Sequence, residues 1–193
     1  MPTRRQFVAG TLAAAGGLAA TPGSSFAAAG VPSDSEVMGK VLQVERLMVL
    51  AYRQVLASGT LAAGEEAALR QFLAQELEHV AAVATRLEAL GASADTSPLD
   101  LTSGETLLAK HHVPGSLSDV HSRTDCLKLL VNLESVAEGA YFTTLKTLGS
   151  AELVTLSAQA MACEAQHWTV ISGLRNPGIY VKSVPWPFVT GSS

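Results

Sequence analysis

Six side chains in this sequence have the types and spacing to hold metal ions. They are Glu45, Glu76, His79, Glu134, Glu164 and His167. Two of the glutamates are followed three residues later by a histidine, giving Glu76-x-x-His79 and Glu164-x-x-His167. On a helix, residues i and i+3 project to the same side, so one ion can be approached by both groups. A single Glu-x-x-His is common on solvated helix faces. Here, however, all four glutamates interrupt apolar stripes. Glu45 lies between Val41 and Met48, Glu76 between Leu73 and Val80, and Glu134 between Leu130 and Tyr141, while Glu164 follows Ala160 by four. An ionised carboxylate inside a bundle costs several kcal/mol. Four carboxylates carry −4, which two divalent cations neutralise, and two neutral imidazoles add nitrogen ligands without charge. Oxygen ligands plus one nitrogen per ion suit iron or manganese better than sulfur-seeking metals.

Four helical segments must position these groups. The first is expected from about Ser33 to Ser58, opened by a Ser33/Glu36 capping box, with Val37, Val41, Met48, Tyr52 and Val55 on its stripe. The second runs from about Gly64 to Leu90, stopped by Gly91, with Leu69, Phe72, Leu73, Val80, Val83, Leu87 and Leu90 facing inward. The third is expected from about Asp119 to Leu148, lined by Leu127, Leu130, Val131, Tyr141, Leu145 and Leu148. The fourth runs from about Ala151 to Leu174, lined by Leu153, Leu156, Ala160, Ile171 and Leu174, and Asn176-Pro177-Gly178 ends it. Short links around Gly59 and Gly149 make antiparallel hairpins. A helix of ~27 residues is ~40 Å long. The stretch from about Gly91 to Ser118 can span that length, with a short helix expected over Thr102 to His112. The expected fold class is therefore all-α, a four-helix bundle of two hairpins joined by a long crossover.

The heights of the six residues agree. The midpoint of Glu45 and Glu76 falls at 60.5, in the first link, and that of Glu134 and Glu164 at 149, in the second. Tyr52 and Tyr141 each follow the lone glutamate of their half by seven residues, so the halves read as copies of one unit. The same reckoning sets Cys126 and Cys163 ~13 Å apart along the axis. That is too far for a disulfide. There is no Cys-x-x-Cys for an iron–sulfur or rubredoxin-type module.

Composition agrees with this reading. Hydrophobic residues are 48%, aromatics 5% and charged residues 16%, which favours helices with ample core. A net charge of −4 gives no basic face for nucleic acid. Residues 1–29 read as an export signal. Arg4-Arg5-Gln6-Phe7 is a twin-arginine pattern, Val8 to Ala20 a mild apolar run too short for a comfortable membrane span, and Ala27-Ala28-Ala29 a cleavage site. A periplasmic or otherwise extracytoplasmic destination follows, with no stable span after processing. Residues 30–176 form the bundle. Residues 177–193 form an extended tail holding Pro185-Trp186-Pro187-Phe188, which packs back on the bundle or docks a partner.

The six-residue set resembles the ligand set of the ferritin-like superfamily. The two Glu-x6-Tyr spacings resemble its rubrerythrin- and erythrin-type members. The resemblance implies two Fe or two Mn ions per chain. Glu45 and Glu134 would be terminal or bridging ligands, Glu76 and Glu164 bridges, and His79 and His167 caps. Tyr52 and Tyr141 would donate to the ligating carboxylates, or serve only as core aromatics. Glu138 is a possible extra ligand, although its spacing differs from the rubrerythrin pattern and a hairpin-seam position fits it too. His111, His112 and His121 read as surface residues. No rubredoxin domain and no fifth bundle helix are expected. The implied chemistry is oxidation of Fe²⁺ by O₂ or peroxide, or peroxide removal in oxidative-stress defence, in a possible homodimer. The alternative is a non-catalytic stress or interaction module of the cell envelope, held together by its metals.

Overall fold

The computed structural model describes residues 32–184. Five α-helices follow one another: α1 (Asp34–Ala57), α2 (Ala63–Ala89), α3 (Leu101–Lys110), α4 (Arg123–Thr147) and α5 (Ala151–Arg175). A 3-10 turn over Tyr180–Lys182 follows, and the described residues contain no strand. The bundle is all-α. Helices α1 and α2 form one hairpin, α4 and α5 the other, and α3 lies in the crossover against α1. The export signal and Pro185-Trp186-Pro187-Phe188 lie outside the described residues.

Local signals explain the helix ends. At α1, the Ser33 side chain accepts from the Glu36 N–H while Glu36 accepts from the Ser33 N–H, a reciprocal capping box. Gly59 in the first link has φ +67 and Gly91 after α2 has φ +75, a left-handed backbone that side chains resist. The second hairpin is closed differently. The Asp34 carboxylate accepts from the N–H groups of Gly149 and Ser150, so the start of α1 clasps the α4–α5 turn. Helix α4 begins at Arg123 rather than Asp119, because Ser122 caps it by accepting from the Asp125 N–H.

The core lies between the hairpins in two clusters. One is built around Leu47, Met48, Tyr52, Leu69, Leu127, Leu130 and Leu133, the other around Met38, Val41, Val80, Val83, Leu87, Tyr141 and Leu153. The expected stripes are buried or half-buried, with one correction. Leu90 is exposed, because it falls at the C-cap of α2 beyond the last full turn. The tail also departs from expectation. Residues 180–182 wind into a 3-10 turn, held by the Ser172 hydroxyl donating to the Lys182 carbonyl. The segment up to Val184 thus packs on α5 while leaving Ile179, Tyr180, Val181 and Val184 exposed. Cys126 and Cys163 are both free. No described helix is long and apolar enough to cross a membrane.

Candidate metal centre

Helix α1 supplies Glu45, α2 supplies Glu76 and His79, α4 supplies Glu134, and α5 supplies Glu164 and His167. All four glutamates are fully buried. Their apolar neighbours on each helix force that burial, since the phase that hides the stripe hides the carboxylate as well. The six side chains converge into two groups. Glu45, Glu76, His79 and Glu164 form one; Glu76, Glu134, Glu164 and His167 form the other. Within each group one ligand atom per residue lies within 4.8 Å of the rest. Glu76 and Glu164 belong to both groups.

Both imidazoles turn Nδ1 inward. His79 Nδ1 lies 2.8 Å from Glu164 Oε1 and 3.6 Å from both Glu45 Oε2 and Glu76 Oε2. His167 Nδ1 lies 3.0 Å from Glu76 Oε1, 3.5 Å from Glu164 Oε2 and 3.6 Å from Glu134 Oε2. On the outer edge, His167 Nε2 is 2.8 Å from Gln75 Oε1. Donation to that carbonyl oxygen puts the proton on Nε2 and leaves the Nδ1 lone pair facing the carboxylates.

The donor set fits a pair of divalent cations on one decisive observation. Among the described residues, both oxygens of Glu45, Glu76 and Glu164, Oε2 of Glu134 and Nδ1 of both histidines are buried without a regular hydrogen bond. Buried acceptors crowded together with no donor among them are costly, and cations between them remove the cost.

Without cations, protons must take up the charge. Burial pushes Glu45 up to about 8, with Glu164 and Glu76 adding to the rise against the pull of His79. Burial also raises Glu134 well above the usual carboxylate range. Glu164 moves the other way. Burial would raise it, but the adjoining His167 and His79 rings outweigh that and hold it at about 2. Burial disfavours both imidazolium ions, yet the surrounding carboxylates prevail; His167 is held up at about 12 and His79 is raised too.

The tyrosines flank the centre unequally. The Tyr52 hydroxyl donates to Glu134 Oε1. Tyr141 is equally buried and its hydroxyl interacts with Glu45, but outside regular hydrogen-bond geometry. Burial and the nearby carboxylates raise both phenols. Glu138 joins neither group. It is half-buried beside α5, and burial together with Glu164 raises it. His112 and His121 are exposed, as expected for surface residues, whereas His111 is half-buried. Two neighbours escaped the sequence reading. Gln75 caps His167, and Phe72 stacks on the same imidazole with ring centroids 4.3 Å apart. Phe72 was legible as core, but nothing in the sequence marks either residue as a partner of His167 on another helix.

The family follows from this fold and site. Residues 33–177 match the model of the ferritin-like domain, and the chain belongs to that family. A crystal structure of a conserved hypothetical protein, rv2844, from Mycobacterium tuberculosis shares the fold with a TM-score of 0.61 and 19% identity. The match covers 73% of this chain and 96% of that one. No curated protein sequence matches the chain significantly.

Proposed function

We propose that this chain is an exported di-metal carboxylate protein that oxidises Fe²⁺ or removes peroxide. The observation that carries the reading is the set of buried, bond-less carboxylate oxygens and Nδ1 atoms in two groups sharing Glu76 and Glu164. In this reading Glu76 and Glu164, which belong to both groups, would serve both ions, with Glu45 and His79 helping to hold one and Glu134 and His167 the other. Two iron or manganese ions held there would supply two electrons to an O–O bond.

The chain's own residues set the conditions for that chemistry. Tyr52 fixes one oxygen of Glu134 and leaves the other turned to His167. Gln75 fixes the His167 ring. Fully buried Leu47, Met48 and Leu130 exclude water from the surrounding core. Export rests on Arg4-Arg5-Gln6-Phe7 and the following apolar run; the twin-arginine route carries folded proteins, which suits metal loading before export.

The test is metal analysis followed by turnover. Protein purified with iron or manganese is expected to hold about two ions per chain by the charge balance of four carboxylates, and to consume peroxide or Fe²⁺. Glu164→Ala and His167→Ala are expected to abolish turnover and to remove most of the metal binding. Full turnover in both variants would sink the reading. A second reading has its own observation. Ile179, Tyr180, Val181 and Val184 form an exposed apolar run next to the bundle, as an interaction module would present. Two bound ions with no turnover would select that reading.

A further inference from the structure

The two halves of the centre are near copies, and the places where the copy fails fall on one side. Glu76 and His79 correspond to Glu164 and His167 at an offset of 88 residues. The same offset sets Gln75 against Cys163, Phe72 against Ala160 and Leu69 against Ser157. Gln75 and Phe72 close on His167, and at all three positions α5 carries the smaller side chain.

At the His167 end, Phe72 stacks on the imidazole, Gln75 accepts from its Nε2, and Tyr52 donates to Glu134. The side chain of His167 is 1% exposed. At the other end, alanine stands in place of phenylalanine. Cys163 stands in place of Gln75, and its thiol lies 3.5 Å from His167 Nε2 rather than capping His79. Among the described residues no hydrogen bond reaches His79 Nε2, and its side chain is 14% exposed. Ser157 is fully buried with no hydrogen bond to its Oγ, where the copy has the well-packed Leu69. The Tyr141 hydroxyl makes no regular bond either.

We propose that the two metal positions are unequal: the Glu134–His167 position is closed and tight, and the Glu45–His79 position is open and exchangeable, the one at which external Fe²⁺ or peroxide arrives. The proposal rests on the di-metal reading above. Gln75 is a positioning residue in it. By holding the proton on Nε2, it keeps His167 Nδ1 aimed inward, and losing such a partner typically costs ~10–100-fold in metal affinity. His79 has no equivalent partner.

The experiment titrates the metal-stripped full chain with Mn²⁺ by calorimetry. Two events are expected, with dissociation constants at least about tenfold apart. His79→Ala should retain the tighter event, and His167→Ala the weaker one. Gln75→Leu should weaken the tighter event by ~10–100-fold and leave the weaker one in place, while Gln75→Glu, which keeps an acceptor, should restore it. In the Zn²⁺-loaded protein, ¹⁵N spectra should show His167 bound through Nδ1 with its proton on Nε2. Two equal constants, or loss of the tighter event in His79→Ala alone, would overturn the inequality and leave the di-metal reading standing. No binding by the wild-type chain would overturn both.

Discussion

Helices α1 and α4 differ from α2 and α5 in how they are held. Helix α1 is apolar on almost every side: Val37, Met38, Val41, Leu42, Leu47, Met48, Val49 and Leu50 are all buried. It packs against α2 and α4 on its inner faces, and α3 of the crossover covers another. The covering is close. A Cβ placed on Gly104 of α3 would come within 2.5 Å of Leu50 Cδ2 and 2.6 Å of Leu117 Cδ1. Helices α2 and α5 meet each other over only a few residues, and they leave Leu77 and Val170 exposed. At one end they are linked through Arg123 at the start of α4, whose guanidinium pairs with Glu65 of α2 and donates to the Leu174 carbonyl of α5.

The division matters because the six polar groups of the centre are shared out by side. Helices α1 and α4 carry the lone glutamates and the tyrosines, and α2 and α5 carry both Glu-x-x-His dyads. A helix buried all round is fixed by packing, whereas a helix with one free face can shift with less loss of contact. Glu76 and Glu164, which belong to both groups, therefore sit on the pair that leaves large apolar side chains exposed.

Substitutions can break or sharpen this contrast. The largest effect is expected from Leu47→Ala in α1, which empties a fully buried site and should cost ~2–5 kcal/mol in denaturant unfolding. Gly104→Ala comes next. Its methyl must displace two buried leucine side chains, at ~1–3 kcal/mol. A neutral result there would mean that α3 is not a tight cover. Tyr52→Phe removes a buried hydrogen bond and should cost ~0.5–1.5 kcal/mol. Tyr141→Phe should cost less, since that hydroxyl makes no regular bond; equal losses would erase the distinction between the two tyrosines.

Smaller effects belong to the α2–α5 side. The hydrogen bond from Arg123 lowers Glu65 below the usual carboxylate range. The pair therefore adds stability above the unfolded carboxylate pKa of about 4.3, and that stability is lost as pH falls through the lower folded value. Glu65→Gln should remove ~0.2–1 kcal/mol at neutral pH, and the difference from wild type should vanish in strong acid when melting is followed against pH. Leu77→Ala, on the open face, should stay within about 0.5 kcal/mol of wild type. A loss as large as that of Leu47→Ala would show that the face is covered in solution.

The sequence revealed more of the donor set than of its surroundings. Glu45, Glu76, His79, Glu134, Glu164 and His167 could be picked out because each breaks an apolar stripe at a height fixed by two short links, and helix rise is constant. The Ser33/Glu36 box was legible because capping is local. The start of α4 was misjudged because Asp119, Ser122 and Asp125 all resemble cap residues, and only the backbone chose Ser122. Glu138 shows the limit of spacing. It lies one turn beyond Glu134 on α4, yet helix rotation takes its carboxylate out of both groups.

By itself, the sequence determined the helices, their pairing into hairpins and the level at which six polar groups meet, since all of these follow from periodicity, local capping and link length. Tertiary structure decided the rest: that Glu76 and Glu164 belong to both groups, that Gln75 and Phe72 close on His167, and that the His79 side chain stays 14% exposed. Those facts depend on the rotation and spacing of helices distant in sequence, which packing of the whole core sets and no single helix encodes.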